Sequence, residues 1–356
     1  MSDKQSPLIL QPVWKVVKIC SALSDALMLF FFIVLKFLNN GEEDEMKVVD
    51  LFCGCGGLSL GFMKAGFEIA AGFDFWDEAI EVYKKNFNHP VIKQDLINVA
   101  EASEKIKSFS PEMIIGGPPC QDFSSAGKRN EDNGRGDLTV SYAKIISNIC
   151  PEWFAMENVD RIKKTQKLVE AMKIYKESGY GLTYTVLDAS LCGVPQKRKR
   201  FVMIGHKGSE DGFMDFTLVE KLSSKPMTVA DYFGNELDVK YYYRHPRSYA
   251  RRGIFSIDEP SPTIRGVNRP MPDGYKIHPN DPVKSKDGVR PLTTKERSMI
   301  QTFPKDFIFL GSKTNQEQMI GNAVPVNLGK FIAEAIKSYI ETTTIKEAVS
   351  LKKEIA

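Results

Sequence analysis

From Met46 to Gly205 the chain alternates short apolar runs with amphipathic stretches, and no other feature narrows the possible folds as far. KVVDLF, EIAAGFD, MIIGG, WFAMEN, TYTVLD and RFVMIG read as strands; GGLSLGFMKAG, DEAIEVYKKNF, SYAKIISNI and QKLVEAMKIYKESG between them read as helices. Strand and helix in turn argue for an α/β fold with a parallel sheet covered on both faces. After Gly205 the alternation stops. Residues 206–289 gain tyrosines, arginines and prolines and read as a small irregular second domain. Regular structure returns in TTKERSMIQTF and in the long amphipathic PVNLGKFIAEAIKSYI, and KEAVSLKKEIA reads as a frayed helical tail.

Charge and cysteines set the surroundings. A net charge of +3 over 356 residues is compatible with a polyanionic partner without requiring one. The six cysteines (Cys20, Cys53, Cys55, Cys120, Cys150, Cys192) include no C-x-x-C pair and no histidine at zinc-ligand spacing. Neither a disulfide framework nor a metal site is indicated, and a reducing cytoplasmic location fits best. The apolar run ALMLFFFIVLKFL, bracketed by Asp25 and Lys36, suits a packed, interfacial or partner-binding helix better than a membrane span. No small-residue cleavage signal follows it. A further reading is that Met46 opens a self-contained domain and residues 1–45 are a translated upstream segment.

Several residues stand where chemistry would place them. Gly54, Gly56 and Gly57 fall between a strand and a helix, where a bare backbone can approach a ligand, and Asp74 closes the next strand with a carboxylate able to take ribose hydroxyls. In IIGGPPCQDFS, Cys120 follows two prolines in a loop too stiff and too open for a core thiol. Glu157 ends the strand WFAMEN, where a solvated carboxylate is the bland alternative. QKRKR offers Gln196, Arg198 and Arg200 ahead of another strand. QDFSSAGKRNEDNGRGDL, residues 121–138, is polar, glycine-bearing and too long for a tight turn. Arg244, Arg247, Arg251, Arg252, Arg265 and Arg269 cluster in the small domain.

DLFCGCGG, GGPPCQ, MENV, QKRKR and MIGNAVPVNLG, in that order, resemble the motifs of the C5-cytosine DNA methyltransferase family of the restriction-modification type, over Met46 to about Ile340. The resemblance implies a Rossmann-like mixed sheet of the S-adenosylmethionine-dependent kind with a smaller target-recognition domain. Residues 46–205 would form the catalytic and cofactor-binding domain, 206–289 the recognition domain and 290–345 the return to the catalytic domain; 346–356 would be a tail. Carbon 5 of cytosine is a poor nucleophile, so the family adds a cysteine thiolate at carbon 6 to make carbon 5 enamine-like. Cys120 takes that role, Glu157 stands at the base's N3 and exocyclic amine, Asn158 holds the loop and Arg198 reaches the flipped cytosine, while Arg200 serves structure or phosphate contacts.

For S-adenosylmethionine the family implies Phe52, Gly54 and Gly56 near the methionine part and adenosine, Asp74 on the ribose, Phe75 stacking on adenine and Asp95 with Leu96 at the adenine edge. Many members have glutamate at Asp74 and tryptophan or tyrosine at Phe75. Asn322, Ala323 and Val324 fold back beside the first glycine loop to close the pocket, making the large domain discontinuous. Residues 121–138 resemble the family's mobile catalytic loop, with Ser124 and Arg135 on DNA. Thr263 and Arg265 are the expected contacts from the small domain. The implied activity is methylation of carbon 5 of one cytosine in a short duplex DNA site, a GC-rich palindrome with GCGC as its candidate centre, by a monomer paired with a restriction endonuclease. Two alternatives are a transfer-RNA methyltransferase, whose Cys-Phe-Thr signature is missing here, and a non-catalytic DNA-binding regulator, which would lack the nucleophile or the cofactor loop.

Overall fold

In the computed structural model, residues 46–119, 138–248 and 250–355 are described. The run KVVDL forms β1 (Lys47–Leu51), and Val48, Val49, Asp50 and Leu51 are all shut off from solvent. That pattern belongs to a central strand covered on both faces. After α1 (Gly57–Lys64) come β2 (Glu68–Asp74), α2 (Asp77–Asn86), β3 (Val91–Lys93), α3 (Val99–Lys107) and β4 (Met113–Gly116). Beyond residue 137 follow α4 (Leu138–Ile149), β5 (Trp153–Val159), α5 (Gln166–Glu177), β6 (Tyr180–Asp188), β7 (Gln196–Lys197) and β8 (Lys199–Lys207).

Seven strands form one sheet in the order β3-β2-β1-β4-β5-β8-β6. The first five are parallel, but β8 runs antiparallel to both β5 and β6, so the sheet is mixed rather than wholly parallel. The reason lies in the connection. A parallel return needs a crossover of a dozen or more residues, whereas β6 and β8 are joined by residues 189–198 as a hairpin, with Asp188 opposite Lys199. Strand order reverses between β1 and β4, which opens a crevice at their carboxyl ends. The core beside the sheet joins Leu51, Phe73 and Phe154 to Ile106 of α3, Tyr142 of α4 and Tyr175 of α5.

Past β8 the elements are short: α6 (Asp215–Glu220), α7 (Val229–Phe233), β9 (Tyr241–Tyr243), β10 (Ile254–Ser256), β11 (Ser261–Pro262) and β12 (Arg290–Pro291). β10, β9 and β12 make a three-stranded sheet, and β11 pairs with β7, just ahead of β8. Helix α8 (Thr294–Ile300) opens on a capping box between Thr293 and Glu296. It is followed by α9 (Lys313–Asn322) and α10 (Val326–Ile355). Val229, Tyr242, Phe255 and Ile264 share a core with Leu292, Ile300 of α8 and Ile320 of α9. Met46–Ala335 forms one compact unit, and the chain from Ile336 belongs to another, whose described part is the rest of α10. Among the described residues no helix is long and apolar enough to cross a membrane. Residues 1–45 lie outside the described residues.

Candidate active site

The crevice at the strand reversal is a cavity of about 870 Å³. Its floor begins where β1 ends. Phe52 and Gly54 lie at φ of 59° and 54°, a left-handed conformation that is costly for a bulky side chain and natural for glycine. Gly56, at φ 91°, caps α1, and a Cβ there would strike the Phe87 ring at 2.3 Å. The neighbouring Gly57 is bare for a different reason: its Cβ would stand 2.2 Å from the carbonyl oxygen of Val324. Residues 321–324 are thereby pressed directly against the glycine loop.

Asp74 ties this loop to the end of β2. Its Oδ2 accepts from the Gly54 N–H at 2.8 Å and its Oδ1 from Phe75 and Trp76 at 2.8 and 2.9 Å. Burial raises its pKa, and the three backbone donors pull the other way. Phe75 is 61% exposed, with Lys93 Nζ 5.5 Å from the ring centroid, so the ring offers a broad face to a planar ligand. Asp95 stands exposed at the rim beside buried Leu96. Asp50 is fully buried in the wall and was not singled out by sequence, although an acid inside the apolar run VVDLF is a signal. Its Oδ2 accepts from the Ser59 N–H and hydroxyl at 3.1 and 2.5 Å, and burial pushes its pKa up to about 7.

The other end of the cavity carries Glu157. Its register partner across β5 and β8 is Val202, so Arg200, two residues away, is a diagonal neighbour on the same face. Arg200 Nε lies 2.7 Å from Glu157 Oε1, and both side chains are nearly buried. Asn158 donates from Nδ2 to the Pro118 carbonyl at 2.8 Å and so holds the prolyl segment that leads to Cys120. Arg198 also lines the cavity, but its guanidinium donates to the carbonyls of Ile264, Gly321 and Ala323, each at 3.2 Å. Burial lowers its pKa, Arg200 lowers it further, and Glu157 opposes both.

Phe52, Gly54, Asp74, Phe75, Asp95, Leu96, Glu157, Arg198, Asn322, Ala323 and Val324 thus line one cavity, with Gly56 packed behind its floor. Thr263 and Arg265 do not line it. Thr263 donates to the Lys197 carbonyl at 2.9 Å, and Arg265 donates to the carbonyl of His245. Cys120, Ser124 and Arg135 lie outside the described residues, as does all but the end of the 121–138 loop.

A family model described as C-5 cytosine-specific DNA methylase matches residues 46–338. The chain belongs to the C-5 cytosine-specific DNA methylase family. Among curated relatives, the type II methyltransferase M.HindV of Haemophilus influenzae is 63% identical over 295 residues, 83% of this chain and 97% of that one. The type II methyltransferase M.HgiDI of Herpetosiphon aurantiacus is 55% identical over 302 residues, 85% and 97% of the two chains. Among solved structures, the S. pombe Dnmt2 methyltransferase superposes with a TM-score of 0.63 at 17% identity, over 84% of this methylase and 99% of that chain. A Spodoptera frugiperda DNMT2 mutant does so with 0.60 at 19%, over 82% and 99%. These two likenesses speak for the shared fold alone.

Proposed function

We propose that this DNA cytosine-5 methyltransferase uses S-adenosylmethionine to methylate carbon 5 of a cytosine flipped out of a short, specific duplex DNA site. As a monomer in the cytoplasm, it would protect DNA from a partner restriction endonuclease. The observation that carries the reading is the meeting, in one cavity, of the Glu157–Arg200 pair, the Asn158-held prolyl segment and the Phe75–Asp74 end.

The cavity falls within the roughly 300–1,000 Å³ of ligand pockets. Its left-handed glycine loop, open aromatic face and rim carboxylate fit a nucleoside-bearing ligand, with Phe52, Gly54, Asp74, Phe75, Asp95, Leu96 and Asn322–Val324 holding it. When bound, S-adenosylmethionine supplies an electrophilic methyl group. The protein's part is to make carbon 5 nucleophilic. The Cys120 thiolate adds to carbon 6, and the ring's electron pair moves toward carbon 5 while Glu157 holds N3 and the exocyclic amine. Arg200 fixes the Glu157 carboxyl in place. After methyl transfer, loss of the carbon 5 proton releases the thiolate by β-elimination.

Residues 206–289 are assigned to target recognition. Arg244, Arg247, Arg265 and Arg269 crowd one another there, and the crowding adds to burial in lowering the pKa of Arg244, to about 10, and of Arg265. Among the described residues none of the four is ion-paired to an acid. Such a patch suits phosphates and guanine edges.

Bisulfite sequencing of a plasmid library exposed to the protein tests the reading. Conversion-resistant cytosines within one repeated motif are expected, together with a covalent adduct on 5-fluorocytosine DNA, in which elimination is blocked. Protection of no motif and absence of the adduct would overturn it.

A further inference from the structure

Three buried side chains join the recognition segment to the cofactor wall, among them Arg198, which the family resemblance placed at the flipped cytosine and whose guanidinium is here spent on backbone carbonyls. Gln196 and Arg198, two residues apart and so on the same side of an extended chain, take both backbone groups of Ile264. Its N–H donates to Gln196 Oε1 at 2.8 Å, and its carbonyl accepts from Arg198 Nη1 at 3.2 Å. The same two side chains reach the wall. Arg198 Nη2 donates to the carbonyls of Gly321 and Ala323, and Gln196 Nε2 donates to Gln301 Oε1 at 2.6 Å. Gln301 Nε2 in turn donates to the carbonyls of Ile320 and Ala323 at 2.6 and 3.1 Å.

Backbone contact runs alongside. A Cβ on Gly321 would stand 2.1 Å from the Gly266 nitrogen, so the two segments touch with no side chain between them. Residues 321–324 are therefore clamped between Gly266 on one side and Gly57 of the glycine loop on the other. The turn that aims Gln301 is held under strain: Thr302, β-branched and buried, sits at φ 61°. Burying a guanidinium against neutral carbonyls is a costly way to cement two segments, which apolar packing would join more cheaply.

We propose that Gln196, Arg198 and Gln301 are positioning residues that couple cofactor binding to target binding, by holding Ile264 and residues 320–323 in one register. The proposal rests on assigning 206–289 to recognition. Whatever orders residues 321–324 then also orders 263–266, and the reverse, because coupling between two sites is reciprocal.

Amide hydrogen exchange with and without S-adenosylhomocysteine, in the absence of DNA, reads the link directly. In the wild-type protein the ligand should slow exchange about five-fold or more at 320–325 and, remotely, at 263–268. In Gln301→Leu the slowing should persist at 320–325 and vanish at 263–268. A wild-type 263–268 segment indifferent to the ligand overturns the proposal without any variant having to fold, and so does an equal response in both proteins. Lack of slowing at 320–325 would overturn the cofactor assignment and the coupling with it. In the reciprocal arm, a duplex carrying the motif found by bisulfite sequencing should tighten S-adenosylhomocysteine binding in the wild type and not in Gln301→Leu; equal tightening refutes the link. Failure of the recognition assignment itself would show elsewhere, as unchanged site choice after exchange of residues 206–289.

Discussion

Gly57→Ala isolates the contact between the glycine loop and the C-terminal wall. Gly57 has an ordinary helical backbone at the start of α1, so alanine meets no conformational penalty there and gains helix propensity. The single added methyl would lie 2.2 Å from the Val324 carbonyl oxygen, a backbone atom that cannot swing away as a side chain can. Restoring an ordinary contact near 3.4 Å requires a shift of about 1 Å in residues 321–324, and overpacking of this kind costs about 1–3 kcal/mol. Because that loop lines the cavity, the cost should appear as a roughly 10- to 100-fold weaker Kd for S-adenosylhomocysteine, at about 1.4 kcal/mol per decade. Calorimetric titration would show the lost affinity, and urea unfolding would report whatever part of the cost the ligand-free protein bears instead. An affinity within about two-fold of wild type would refute the idea that the Gly57–Val324 contact shapes the cofactor wall.

Other consequences can be measured separately. Glu157→Gln should slow single-turnover methylation by about 100-fold or more with little change in S-adenosylhomocysteine affinity; equal loss of both would show a folding defect instead. Arg200→Ala leaves the nearly buried Glu157 carboxyl without its partner. It should cost about 3 kcal/mol of stability in urea unfolding, and a neutral result would show the pair to be dispensable. The folded-state pKa of Asp50, raised by burial from 3.8 to about 7, means that the native state holds a proton the unfolded chain has released. The Asp50 contribution is therefore full below about pH 4 and is lost as pH rises to 7, by up to about 4 kcal/mol. The stability difference between wild type and Asp50→Asn should fall across that window, and a flat difference would contradict it. Exchanging residues 206–289 for a relative's segment should move the methylated motif without abolishing methylation, as bisulfite sequencing would reveal.

Most of the strands that could be read in advance have two buried faces, because a continuous apolar run leaves little ambiguity; TYTVLD of β6 was legible through its β-branched and aromatic residues although Tyr184 is exposed. β3 escaped notice since it has three residues, none of them buried. α9 escaped for the opposite reason: KTNQEQMIGN looks solvent-facing, yet it buries Glu317 in an ion pair with Arg297 at 2.9 Å. The antiparallel placement of β8 depends on a hairpin that periodicity does not record. Within the site, the ordered motifs point to the residues that now share a cavity. Of the two arginines of QKRKR they put Arg198 at the cytosine and leave Arg200 to structure or phosphate; strand register instead sets Arg200 against Glu157, while Arg198 is taken up by backbone carbonyls. Nor could a pattern pair Gln196 with Gln301, 105 residues apart and drawn together only by the fold.

Residues 318–324, which complete the cavity wall, come late in the order of synthesis, after the whole of 206–289 has been made. On the ribosome a growing chain carries the glycine loop, the acid and the paired arginine while more than a hundred further residues are added, without having an enclosed pocket. An unfinished product ending before Asn322 would hold the pieces of a methyltransferase with one side of the vessel missing. The order of the chain thus acts as a safeguard: the cavity can close only in a molecule that already possesses the segment assigned to choosing its target.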